Sequence, residues 1–350
     1  MQLRIFGQQR ALTRSATFKR LLPLWLCCVP AGAWPASETP TAQVSRSPGC
    51  TMMAEDATWL NNALAAWQHI SRKRLLLQPA PLPLILTFDA QCAFTARRVD
   101  GKLSWAAVRH SGTIKLPDGK EIPADIASFA APFDANSGAK GFFVMALPSI
   151  WAAKNIQSGL GVSGLTTGVL LHEIMHSWQF DYINPTIAEL KARYRLDDSI
   201  SDNSLQESFE KVPAYVADYE AERDLLFAAA AAQSKDEARA FAAQALRQMR
   251  ARHLQWFEGS NAKWKSLDDL FLTLEGAGQW AFYAWATDRQ GLHLDRATAL
   301  REVRRGGRYW SQDEGLALFL TIDRLVPGWQ KMVFSKKSIT AESLLTLASK

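Results

Sequence analysis

Gly168-Val-Leu-Leu-His-Glu-Ile-Met-His-Ser-Trp-Gln-Phe180 is apolar enough to be a buried helix, yet it carries His172, Glu173 and His176. Positions four apart share one helix face, so the two imidazoles can present ring nitrogens to a single ion. Glu173 falls on the neighbouring face, beside that ion. Burying two imidazoles and a carboxylate in an apolar helix is costly unless a cation compensates. The stretch therefore reads as a zinc site with His172 and His176 as ligands. A carboxylate held next to such an ion can take a proton from water whose acidity the ion has raised and return it to a leaving group, which casts Glu173 as general base.

Outward from this helix the chain divides in two. Upstream, Trp59, Leu60, Ala63, Leu64, Trp67 and Ile70 recur at helical spacing, and the basic turn from Ser71 to Arg74 ends that helix. A strand is expected at Leu84 to Phe88. Residues 94–147 carry short runs broken by Gly and Pro, including Asp118-Gly119, and predict a small sheet with hairpins. Its clearest strand is Gly141 to Leu147, either an edge strand bordering the site or an ordinary core strand. Downstream of Leu165 the pattern is helical. The metal helix is expected to run to about Tyr182, stopped by Asn184-Pro185. Further helices follow at Leu205 to Ala232, from the capping box Ser234-Lys-Asp-Glu237 past Arg252, at residues 266–286, and at Leu316 to Leu325 ahead of Pro327-Gly328.

A zinc ion needs a third protein ligand. The extended metzincin signature would place Gly at 179 and His at 182, where this chain has Gln179 and Tyr182. A glutamate is the expected alternative. Glu275 opens Leu-Glu-Gly-Ala-Gly-Gln-Trp-Ala-Phe-Tyr, whose Gly276, Ala277 and Gly278 would let one helix press against the metal helix. Glu222 and Glu220, in Tyr219-Glu-Ala-Glu-Arg-Asp224, are the rivals, and each reads equally as a solvated acid of a charged helix face. Gln179, one turn beyond His176, is placed to touch a ligand or substrate or to cap packing. Tyr215, Tyr219 and Tyr283 are candidates to stabilise an oxyanion or ordinary core tyrosines. His69, His110, His253 and His293 have no partner at ligand spacing and read as core or surface histidines.

In His172-Glu-Ile-Met-His176 followed by a downstream Glu275-Gly-Ala-Gly segment the chain resembles the gluzincin branch of the zincin metallopeptidases. That resemblance implies Glu275 as third ligand, and Glu220 with Asp224 matches the spacing by which some gluzincins pair a ligand with a carboxylate that orients a metal histidine. The chain departs from the pattern in having Gly278 where Ala is usual and a long helical insertion before Glu275.

The first 36 residues hold Arg4, Arg10, Arg14, Lys19 and Arg20 with no acid, then the apolar run Leu21 to Val29, then small residues near Ala31, Ala33 and Ala36. This has the form of a secretory leader. The whole chain carries +6, and loss of those five cations leaves +1, so nothing in its charge favours nucleic acid or a membrane surface. Cys27 and Cys28 would leave with the leader. Cys50 and Cys92 would then meet an oxidising compartment and are expected to pair.

The expected architecture is α+β and zincin-like: a signal peptide at 1–36, a flexible mature N-terminus at 37–55, an α/β lobe with a small mixed sheet at 56–160, and a helical lobe with the zinc site at 161–350. The expected function is that of an exported zinc hydrolase, periplasmic or secreted, acting on peptide or protein and not stably inserted in a membrane once the leader is removed. Two alternatives stand beside it: a non-catalytic scaffold that keeps the ion as a staple, and a zinc hydrolase of a non-peptide bond.

Overall fold

Trp59, Leu60, Ala63, Leu64, Trp67 and Ile70 form the buried stripe of α1 (Ala54–Lys73), as their spacing predicts. Glu55 and Asp56 in its first turn and Arg72 and Lys73 in its last complement the helix dipole. The computed structural model describes residues 49–77, 82–99, 102–133, 141–197, 199–334 and 339–350. The expected leader and most of the expected flexible N-terminus lie outside the described residues.

The chain then builds a mixed sheet from β1 (Leu84–Phe88), β2 (Cys92–Val99), β3 (Lys102–Arg109), β6 (Ser128–Pro132) and β7 (Gly141–Ala146). The order is β3-β2-β1-β7-β6, with β1 and β7 parallel and the other neighbours antiparallel. A separate hairpin, β4 (Thr113–Lys115) with β5 (Glu121–Pro123), turns at Asp118-Gly119, where Gly119 has a φ of +84°. Cys50 and Cys92 are disulfide-bonded, tying the segment before α1 to the start of β2 across a Cα separation of 5.9 Å. Of the two placements open to the 141–147 strand, the interior one is found. All six residues of β7 are buried, as an unbroken apolar run requires when both faces are covered. The edge next to the metal helix is β6.

The rest is helical: α2 (Pro148–Ala153), α3 (Gly161–Ser177), α4 (Phe180–Tyr194), α5 (Ser204–Phe209), α6 (Pro213–Ala231), α7 (Lys235–Trp256), α8 (Lys263–Thr287), α9 (Arg296–Arg304), α10 (Trp310–Leu325), α11 (Trp329–Val333) and α12 (Ala341–Ala348). Three boundaries differ from expectation. The metal helix α3 ends at Ser177, and Pro185 lies inside α4 instead of stopping a helix. Pro185 is the sixth residue of α4, past the first turn where proline costs no bond, so the helix goes without one internal hydrogen bond there. The expected helix 205–232 is two helices, because Pro213 takes the first position of α6. Finally, α10 begins at Trp310, since its first turns hide Ser311, Gln312, Asp313 and Glu314, polar residues that an apolar-periodicity reading passes over. The Ser234 cap of α7 does form, accepting from the Glu237 amide at 3.1 Å.

One apolar core joins the sheet to α1, α3, α10, α12 and the C-terminal half of α8. A second, built on Ile183, Leu190, Phe209, Tyr215, Trp264 and Phe271, joins α4, α5, α6 and the N-terminal half of α8. Leu274 belongs to the second core and Ala277 to the first. Glu275 therefore stands at the seam between them. Among the described residues no helix is long and apolar enough to cross a membrane.

Candidate metal centre

Two antiparallel helices make the centre. Along α3 the residues Gly168, His172 and His176 face α8, and along α8 Phe282, Gly278 and Glu275 face them in reverse order. Both sets follow helical spacing. The contact is close at each level. A Cβ at Gly168 would lie 2.0 Å from the Phe282 ring, and one at Gly278 would lie 2.7 Å from His172 Nδ1. The imidazole of His172 thus rests on bare backbone of α8, which accounts for a glycine at position 278. Gly276, expected to serve the same contact, faces away. Its own Cβ would fall 2.6 Å from the carbonyl oxygen of Gly315 in α10. The Gly276–Gly315 approach brings α10 near enough for Gln312 to reach the centre.

His172, His176 and Glu275 form a group of buried side chains whose ligand atoms lie within 4.8 Å of one another. The two Nε2 atoms are 3.0 Å apart. Glu275 Oε2 is 3.2 Å from His172 Nε2, and Oε1 is 3.5 Å from His176 Nε2. Four ligands at zinc-like bond lengths sit at tetrahedron corners roughly 3.3 Å apart, so these three separations suit one small ion. The donor set and the loose ends agree. Glu275 Oε1 and Glu173 Oε2 are buried without a hydrogen-bond partner, a costly arrangement that a divalent cation would relieve.

The surrounding amides orient these side chains. Gln179 Nε2 donates to the Thr273 carbonyl at 3.3 Å, which fixes its amide, and its Oε1 lies 3.1 Å from His176 Nδ1. His176 must then carry its proton on Nδ1 and turn a free lone pair on Nε2 toward Glu275. Gln312 Nε2 donates to Glu275 Oε2 at 3.2 Å, and Gln279 Nε2 donates to Gln312 Oε1 at 2.7 Å. Burial pushes the His176 imidazole down to about 4, against the opposing charge of Glu275. It is neutral at neutral pH, as a ligand must be. Burial alone would raise Glu275, but the two imidazoles and Gln312 outweigh it and hold the carboxyl below its ordinary value.

Glu173 is fully buried beside this group. Ser128 Oγ, on the edge strand β6, donates to its Oε1 at 3.2 Å, and the Ala130 main chain adds a hydrogen bond to the carboxylate. Even so, burial first and the charge of Glu275 second raise Glu173 well above the ordinary range. A carboxyl so placed holds a proton readily, the property wanted in a group that must accept one and give it back.

The other sequence candidates lie elsewhere. Glu222 is not at the centre: its oxygens meet Arg252 Nε at 2.7 Å and Nη2 at 3.2 Å. Glu220 and Asp224 are exposed side chains next to Arg223. Tyr215 accepts from Arg252 Nη1 at 2.8 Å, and Tyr219 donates to the Trp310 carbonyl at 3.3 Å. His253 and His69 pair with Asp268 and Asp288. Ser128, Gln312 and the buried Asp202 went unseen in the sequence, because single polar residues far apart in the chain carry no spacing signal; Gln279, one turn after Glu275, was quoted with its segment but given no role.

No family model matches the chain, and no curated protein or solved structure matches it either.

Proposed function

We propose that the protein is an exported zinc-dependent hydrolase of the zincin type, a metallopeptidase in which His172, His176 and Glu275 hold the ion and Glu173 is the general base. The observation that carries this is the state of Glu173. One of its oxygens is held by Ser128 while the other is buried and unpartnered, next to three convergent ligand side chains. A purely structural site has no use for such a carboxyl. When bound, the ion would supply Lewis acidity, polarising a carbonyl and acidifying water. The chain's own part is to set His176 Nε2 free through Gln179, to steady Glu275 through Gln312, and to keep Glu173 Oε2 open for a proton in transit. The Cys50–Cys92 bond is compatible with export.

A second reading has its own support. All four central side chains are at most 4% exposed, as they would be around an ion kept as a staple. One comparison separates the two. Glu173→Gln should keep metal near one per chain, by elemental analysis, and lose at least about a thousandfold in cleavage of a diverse peptide library. Undiminished cleavage by the variant would remove Glu173 from the mechanism. Absence of cleavage by the metal-loaded native protein would favour the staple.

A further inference from the structure

The sheet has a second outer strand. β6 borders the metal helix, and at the opposite end of the order β3 is paired on one side only, with β2. The ladder fixes which of its main-chain groups are free. His110 donates to the Gln91 carbonyl at 3.0 Å, one step beyond the Cys92–Arg109 pair, so Val108, Ala106 and Ser104 turn their groups toward β2. Trp105, Ala107 and Arg109 therefore turn theirs outward. Among the described residues none of these outward groups bonds to another main-chain group. Trp105 and Ala107 also line a pocket of about 460 Å³, the size of a ligand site. Its floor is the sheet, with Phe94 beside those two, and its far wall is α1 with Ala57 and Leu60. Gly49 to Met52 close one end, pinned by the Cys50–Cys92 bond. Among the described residues no ionisable side chain lines it.

We propose that the groove between β3 and α1 binds an extended peptide of another chain, which adds to the free edge of β3 as a further strand and places one large uncharged apolar side chain in the pocket. An open row of main-chain donors and acceptors is matched by an extended backbone, and a pocket beside it takes alternate side chains of such a strand. Trp105 and Ala107 belong to both features. A small molecule would fill the pocket and leave the edge unpaired. A guanidinium, ammonium or carboxylate would meet no opposite charge on these walls. The protein's own preceding residues are a poor match, since Ser37 to Pro48 hold a single large aliphatic side chain, Val44. Natural edges are usually short or blunted by charge or proline, whereas β3 has neither between Lys102 and Arg109. The inference is independent of the metal centre, which lies beside β6, four strand spacings or roughly 19 Å across the sheet.

The test measures binding of fluorescein-labelled, amidated heptapeptides to the full chain by anisotropy, with a chelator present so that the metal centre takes no part. One peptide has phenylalanine at the centre of threonine and serine, and a second has alanine there. Two more are the phenylalanine peptide N-methylated on one or the other alternate set of amides. Phenylalanine should bind tighter than alanine by about tenfold or more. One N-methylated peptide should lose binding and the other keep it, because a strand offers only alternate amides to its neighbour. Ala107→Pro removes an outward N–H while the bonds of Ala106 and Val108 to β2 stay, and Ala57→Leu fills the pocket. Each should weaken the phenylalanine peptide by about tenfold or more. Thermal midpoints check that both variants fold, and if Ala107→Pro does not, Ala57→Leu and the N-methylated pair decide. Equal binding of the phenylalanine and alanine peptides would overturn the pocket, and equal binding of the N-methylated pair would overturn strand addition. Binding that appears only in Val44→Asp would assign the groove to the protein's own N-terminal residues and overturn the external partner. Absence of binding in every form would overturn the proposal outright.

Discussion

At the scale of the residue, Gly278 shows how tightly the centre is drawn. A helix interior normally disfavours glycine by about 1 kcal/mol against alanine. Here a Cβ would lie 2.7 Å from the ring of His172, closer than side chains approach, so the ring or the helix must give way. Nδ1 of that ring has no hydrogen-bond partner, so backbone contact holds the imidazole in place where a polar anchor is usual. Gly278→Ala is therefore expected to weaken zinc binding by about tenfold or more, even though alanine favours the helix. The cost in stability should be about 1–3 kcal/mol from overpacking. Competition against a chromophoric chelator, paired with urea unfolding, checks both. Native affinity in the variant would mean that His172 is free to move.

At the scale of the element, the helices α6, α7, α8 and α10 meet on one side chain. Arg252 of α7 is fully buried and reaches Glu222 of α6 at 2.7 Å, Asp268 of α8 at 3.0 Å and Glu314 of α10 at 3.5 Å. Removing one partner of a buried ionic group leaves the others uncompensated, which typically costs about 3–5 kcal/mol. Arg252→Leu should destabilise by at least that much in chemical unfolding, and adding Glu222→Gln should recover part of the loss. Additive losses in the double variant would show that Arg252 acts by packing alone. This network also explains what the sequence could and could not disclose. His172, Glu173 and His176 were legible because helical spacing is local, and Glu275 because a glycine-flanked glutamate marks close helix packing. Glu222 sat at the border of an apolar face, and nothing local distinguishes a ligand there from a partner of an arginine 30 residues away. The buried stripe of α1 followed from periodicity, whereas Pro185 misled because a proline costs a helix one internal bond, a loss that burial of Ile183 and Leu190 in the second core outweighs. The polar start of α10 was hidden because its burial is tertiary.

At the scale of the whole molecule, the interior holds more acid than its cations neutralise, and this gives the metal-free chain a pH dependence of definite sign. Asp56, Glu173, Asp202, Asp269 and Glu314 all stand above their ordinary values, burial being the first cause in each, and Asp269 is pushed up to about 6. An acid raised in the folded state keeps a proton that the unfolded chain has released. Stability is then fully present below the unfolded value and falls as pH rises toward the folded one, by about 1.4 kcal/mol per pH unit for each excess proton. His176 works in the opposite sense, but only between its ordinary 6.5 and about 4, where the unfolded chain takes up a proton that the folded one refuses. Above 6.5 the histidine no longer opposes the acids, and Asp269 has itself ionised. Chelator-treated protein should accordingly lose stability as pH rises from 5 to 8. Zinc should flatten the curve by offsetting Glu173, and Glu173→Gln should flatten it without zinc. Urea unfolding of the chelated native and Glu173→Gln chains at pH 5, 6.5 and 8 measures the slopes. Parallel curves for the two chains would mean that Glu173 is ionised without cost, and that its carboxylate lies open to water instead of waiting beside an ion.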